Sequence, residues 1–141
     1  MAVSVYKPAI MTRFLLVAIG GALGSMARYS VGLAAGRLFP GALWPWGTMT
    51  VNLVGGLVMG LVVGWLAARG GAGQESVRVF AAVGVLGGFT TFSAFSLDVV
   101  TLIERRQTSL AAAYVGVSVV CAVAALFLGL MVARRAFGVP A

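Results

Sequence analysis

The polar side chains of this chain are few, and most lie inside stretches otherwise apolar enough to cross a bilayer. Asn52 sits in the first third of an uncharged run from Gly47 to Ala68, otherwise polar only at the hydroxyls of Thr48 and Thr50. Thr91, Ser93 and Ser96 interleave with Phe89, Phe92 and Phe95 in the run from Gly84 to Asp98. Tyr114 and Ser118 stand four residues apart in a last apolar stretch. What these groups share is hydrogen-bond donation without fixed charge. An amide in the membrane either binds a neighbouring helix or turns its N–H groups to a dehydrated anion or a file of water. A hydroxyl either bonds the carbonyl of the preceding turn or lines such a path. Phenylalanines three apart share one helix face. They serve as core or lipid contacts, or present the electropositive ring edge to an anion.

Catalysis lacks its usual groups. There is no His, and the carboxylates are Glu75, Asp98 and Glu104. The single Cys, Cys121, lies in an apolar run and leaves no intrachain disulfide. Zinc and haem ligand sets are absent from such a composition, as are a nucleotide-binding loop and a nucleophile triad. The chain reads as no enzyme. A proton-driven exporter needs a carboxylate deep in the bilayer, and Asp98, near a helix end, is the one candidate.

The elements that position these groups follow from composition. Hydrophobic residues make up 61% of 141 residues and charged ones 9%, against about a quarter charged in a soluble domain. Mean hydropathy is +1.07. A span needs about 20 apolar residues, and four segments qualify: 14–36, 47–68, 77–100 and 109–133. Together they predict an all-α integral membrane protein forming one membrane domain over 1–141. Lys7 and Arg13 precede the first apolar stretch, and Ser25-Met26-Ala27 resembles a cleavage site. Because apolar character resumes after Arg28 and three spans follow, the first segment reads as a retained span. Trp44-Pro45-Trp46 suits an interfacial aromatic belt. The net charge of +7 is scattered between apolar runs with no basic stripe. Lipid headgroups are therefore the partner, and nucleic acid is not.

Four spans put both termini on one side. That side carries Lys7, Arg13, Arg69, Arg78, Arg134 and Arg135; the other carries Arg28, Arg37, Arg105 and Arg106. Six against four gives no firm orientation, which allows insertion both ways and an antiparallel dimer. Gly20/Gly24, Gly32/Gly36, Gly56/Gly60/Gly64 and Gly84/Gly88 recur four apart, making smooth ridges for close helix packing. A bundle that tight has no room for a wide aqueous pore within one chain. Paired glycines followed by hydroxyl residues, Gly87 to Thr91, are poor helix formers, so the third helix is expected to break near its middle. The freed carbonyls would then need a hard cation, water or a neighbouring chain. Arg28 either snorkels outward or lines an anion vestibule.

The sequence resembles the Fluc/CrcB family of small bacterial fluoride channels. The carriers are Gly20-Gly21-Ala22-Leu23-Gly24-Ser25-Met26-Ala27-Arg28-Tyr29, Gly47-Thr48-Met49-Thr50-Val51-Asn52-Leu53-Val54-Gly55 and, most specific, Gly87-Gly88-Phe89-Thr90-Thr91-Phe92-Ser93-Ala94-Phe95-Ser96. The resemblance implies a passive fluoride exporter of the bacterial inner membrane, protecting the cell from fluoride, with two narrow pores in an antiparallel dual-topology homodimer. It implies that Phe92 and Phe95 line the ion path with ring edges and that Asn52 donates to the anion. A polar track maps onto Tyr114 and Ser118; from the residues themselves come Thr91 and Ser93 as pore hydroxyls and Arg28 and Asp98 as vestibule candidates. A structural Na+ at the dimer centre would be held by the backbone carbonyls of Gly87 and Thr90 of each chain. Two positions depart from the family pattern: Ala122 where a hydroxyl can occur, and Asp98 in place of Glu. A small multidrug-type exporter and a non-transporting scaffold are the competing readings. The first wants a mid-membrane Glu, and the second leaves the hydroxyls and phenylalanines of the third span unexplained.

Overall fold

The computed structural model describes residues 3–69 and 72–138. Helix α1 (Val3–Leu38) leads through a short loop to α2 (Trp46–Arg69). After a 3-10 turn at Ala72–Gln74, the third span is assembled from pieces: α3 (Glu75–Arg78), a π-helical stretch (Val79–Leu86), α4 (Gly87–Phe89) and α5 (Phe92–Glu104). Helix α6 (Thr108–Phe137) completes the chain. Four stretches are long and apolar enough to cross a membrane: Ile10–Leu38, Trp46–Arg69, Glu75–Glu104 and Thr108–Phe137. No strand occurs among the described residues. In hydrocarbon every backbone N–H and C=O must be paired within the protein, and runs rich in Leu, Val and Ala do so as helices.

The ends of the elements are set locally. Gly41 (φ 74°) turns the α1–α2 loop, and Gly138 (φ 68°) closes α6 in the left-handed region while its N–H donates to the Arg134 carbonyl. Arg134 and Arg135 occupy the last turn of α6, where cations complement the helix dipole.

The glycine ridges sort into two seams. Gly20 and Gly24 of α1 lie against the Phe80 and Val85 carbonyls of the π-helical stretch, and Gly88 lies on Gly21. Gly56, Gly60 and Gly64 of α2 face Ala122, Leu126 and Ala133 of α6, and Gly129 answers by facing Leu57. A Cβ placed on Gly56 would lie 2.9 Å from the Ala122 oxygen, closer than two such atoms can approach. Gly32 and Gly36 differ: a Cβ on either meets nothing within 4 Å. Their spacing matches the other ridges, but the one close approach is at Gly47 in the first turn of α2, where an added Cβ would lie 3.3 Å from the Gly32 Cα.

The third span is irregular where the fold needs it to be. Thr90 (φ −77°, ψ 158°) and Thr91 (φ −153°, ψ 121°) are extended, whereas Gly87 (φ −63°, ψ −37°) stays helical. The two extended residues are the β-branched threonines rather than the glycines, and their backbone groups find partners: the Leu86 carbonyl for Thr90 and the Asn52 side chain for Thr91. Thr90 donates from both its N–H (3.0 Å) and its hydroxyl (2.9 Å) to the Leu86 carbonyl. The Thr91 N–H donates to Asn52 Oδ1 at 2.8 Å, and Asn52 Nδ2 donates back to the Thr91 carbonyl at 3.0 Å. Thr91 Oγ1 then accepts from the Ala94 N–H at 3.1 Å and starts α5 as its N-cap.

Candidate functional site

A groove of about 380 Å³ opens on one side of the bundle, between α2, the Thr90–Thr91 bend, α5 and α6. Asn52, Thr91, Phe92, Phe95, Ser118 and Ala122 are among its lining residues. One N–H and the carbonyl oxygen of the Asn52 amide bond the Thr91 backbone and fix the bend, and the same residue lines the groove. Thr91 is 7% exposed and Ser118 5%. Buried Ser118 Oγ makes no well-aligned hydrogen bond among the described residues, though the Tyr114 oxygen is close enough to interact with it. A buried hydroxyl lacking a firm partner is costly, and this one lies in the lining of the groove with its donor capacity unspent.

The aromatic residues form a chain. Phe92 is 77% exposed and stands out from the surface, while Phe95, 9% exposed, belongs to the core with Leu102, Ala111 and Tyr114. Ring centroids lie 5.6 Å apart for Phe92–Phe95 and 5.3 Å for Phe95–Tyr114. Tyr114 is wholly buried behind Phe95, and its hydroxyl donates to Asp98 Oδ2 at 3.2 Å. Asp98 in turn lines a second cavity of about 290 Å³, walled by Gly32, Phe39, Trp44, Trp46 and Thr48. Tyr114 thus lies buried between a residue of each lining, Phe95 of the groove and Asp98 of the second cavity.

Other residues singled out from the sequence fall less centrally. Ser93 is exposed and reaches the groove only through Thr91, at 3.3 Å between hydroxyl oxygens. The Ser96 hydroxyl donates to the Phe92 carbonyl at 3.0 Å, a bond to its own preceding turn. Arg28, half-buried on α1, lines neither cavity and forms no ion pair with Asp98. Among the described residues, the ion pairs are those of Glu75 with Arg13 and Arg78. Trp44 escaped the sequence reading as a site residue. Its neighbour Trp46 is exposed, as a belt residue should be, but Trp44 turns inward and meets Tyr114 edge-on with centroids 5.4 Å apart. Adjacent tryptophans around a proline give no sequence signal for which one turns in.

A hard cation would have to draw its oxygen donors from the backbone rather than from clustered side chains of the described residues. No group of three or more His, Cys, Asp or Glu residues gathers among the described residues. The Thr91 N–H, which would close on the Gly87 carbonyl in a regular helix, is taken by Asn52. The Gly87 carbonyl is thereby left without its helical donor, an oxygen of the kind a hard cation would take as ligand.

Comparison with known proteins decides the family. The model of the CrcB-like protein, Camphor Resistance (CrcB), matches residues 15–130. The chain belongs to the CrcB family. A curated CrcB-family relative from Caulobacter sp. (strain K31), named fluoride-specific ion channel FluC, is 60% identical over 129 residues, covering 92% of this chain and all of the relative. Proteins of the same name from Phenylobacterium zucineum (57% over 128 residues) and Hyphomonas neptunium (54% over 127) each cover 90% of this chain and 99% of their own. With four helices able to cross a bilayer and bacterial relatives of this kind, this CrcB-family chain is a multi-pass bacterial membrane protein.

Proposed function

We propose that the protein is a passive, fluoride-selective channel that lets cytoplasmic fluoride leave the bacterial cell. The observation that carries this reading is the groove. It places the amide and hydroxyl donors of Asn52, Thr91 and Ser118 beside the rings of Phe92 and Phe95, with no fixed charge among them, in a chain largely identical to proteins named for fluoride conduction. Fluoride is small and tightly hydrated, so a path must replace its water with close donors. Neutral donors do this without holding the ion too firmly to release it. The export needs no pump. An inside-negative potential drives an anion outward with about 2.3 kcal/mol per charge per 100 mV.

The pore is completed by a second copy of the chain, antiparallel to the first. A one-sided groove and an exposed Phe92 are what an isolated subunit of a two-chain pore would present, and the six-against-four charge ledger permits both orientations. Two such paths per dimer would each run past Phe92 and Phe95 and along Tyr114 and Ser118. The Gly87 and Thr90 carbonyls of both chains would hold a structural Na+ at the centre, with Arg28 and Asp98 toward the vestibules. The deciding experiment is fluoride efflux from liposomes holding the purified protein, with a potassium gradient and valinomycin. Fast release of fluoride but not chloride, without a proton gradient, is the expected result. No release from well-folded protein would sink the reading.

A further inference from the structure

The WPW cluster does more than anchor the chain at the membrane surface. Trp44 lies outside any helix, yet it is held on three sides. Its Nε1 points at Met49 Sδ at 3.1 Å, its carbonyl accepts from the Trp46 N–H at 2.9 Å, and its ring meets Tyr114 edge-on at an interplanar angle of 86°. Tyr114 is then confined between two aromatic neighbours, Trp44 at 5.4 Å and Phe95 at 5.3 Å. Its hydroxyl is directed to Asp98, with the hydroxyls of Thr48 and Ser118 close to the same oxygen. A tyrosine ring swings as a unit about its first two side-chain torsions. Removing one of the two flanking rings would therefore free the hydroxyl to leave its place between Asp98 of the second cavity and Ser118 of the groove.

We propose that Trp44 is a positioning residue of the conduction path, an indole that fixes the Tyr114 hydroxyl between Asp98 and the groove. This rests on the channel reading above and assigns a role to the loop that the reading leaves idle. The indole sets a ring edge rather than a mere volume. A phenyl group at position 44 preserves that edge; a branched aliphatic group fills space without it. The Nε1–Met49 contact holds the loop against α2, so it adds to the placement but does not create it.

The test compares Trp44→Phe with Trp44→Leu in fluoride efflux from liposomes, with rates normalised to folded protein and thermal unfolding followed alongside. The expected result is Phe within about threefold of wild type and Leu slower by about tenfold, the range an aromatic edge contact can supply. The two variants should unfold at similar temperatures. With Tyr114→Phe as background the Phe/Leu contrast should vanish, since a positioning residue has nothing left to position. Equal rates for the two variants, rates that merely track unfolding temperature, or a contrast that persists without the Tyr114 hydroxyl would each overturn the proposal. Wild-type liposomes that release no fluoride would overturn the channel reading itself, an outcome distinct from all of these.

Discussion

At the scale of single residues, the two phenylalanines of the third span are separable by burial. Phe92 is exposed and Phe95 is packed in the core. Phe92→Ile should reduce fluoride efflux sharply with no loss of stability, whereas Phe95→Ile should reduce efflux and also cost about 1 kcal/mol through altered packing. Efflux together with thermal unfolding checks both, and full flux in both variants would refute a role for ring edges. Asn52 carries a different load. Asn52→Ala leaves a buried N–H and C=O of Thr91 without partners, an expected cost of about 1–3 kcal/mol, read as a fall in unfolding temperature. Much of this was legible beforehand. A lone amide in an apolar run announces that it must bond to something, and phenylalanines three apart announce a shared face. What the sequence does not encode in any local pattern is the partner. Asn52 and Thr91 are 39 residues apart, and nothing near either names the other.

At the scale of elements, helix contact is governed by glycine, and equal spacing hides unequal roles. Gly60 of α2 abuts the Leu126 backbone, whereas Gly32 of α1 has open space. Gly60→Ala should destabilise the bundle by about 1–3 kcal/mol through overpacking, while Gly32→Ala should leave the unfolding temperature of the detergent-solubilised subunit unchanged. Similar shifts for the two would contradict the seams described. Four apolar helices follow from composition alone, because the bilayer leaves a chain this greasy little choice. The interior of the third span does not follow. Weak helix formers mark a region prone to break, but they do not say that the bend falls on Thr90 and Thr91, nor that Val79–Leu86 winds as a π-helix. Those outcomes depend on what α1 and α2 press against the span.

At the scale of the whole molecule, the charge ledger left orientation open because ten cations shared among five short segments carry little topological signal. The one-sided groove argues for a partner where the ledger could not. Light scattering of the solubilised protein should give twice 14.4 kDa, and a monomer that still conducts would remove the two-chain pore. Asp98→Asn separates transport classes. A passive channel should keep most of its flux, and an exporter dependent on that carboxylate should stop. Replacing Na+ by a larger monovalent cation throughout purification and reconstitution should slow efflux if backbone carbonyls at Gly87 and Thr90 hold the ion, with unchanged rates counting against it.

The reciprocal bonds between Asn52 and the Thr91 backbone also bear on how the chain is made. Asn52 leaves the ribosome well before Thr91, and without it the Thr91 N–H and C=O among acyl chains would cost several kcal/mol for each unpaired group. The third span therefore cannot adopt its bend while it is alone in lipid. Either it enters as a continuous helix and opens on meeting the amide, or it waits at the translocon until the second span is beside it. On either route the bend would form only once the second span lies beside the third, so the two spans would mature together.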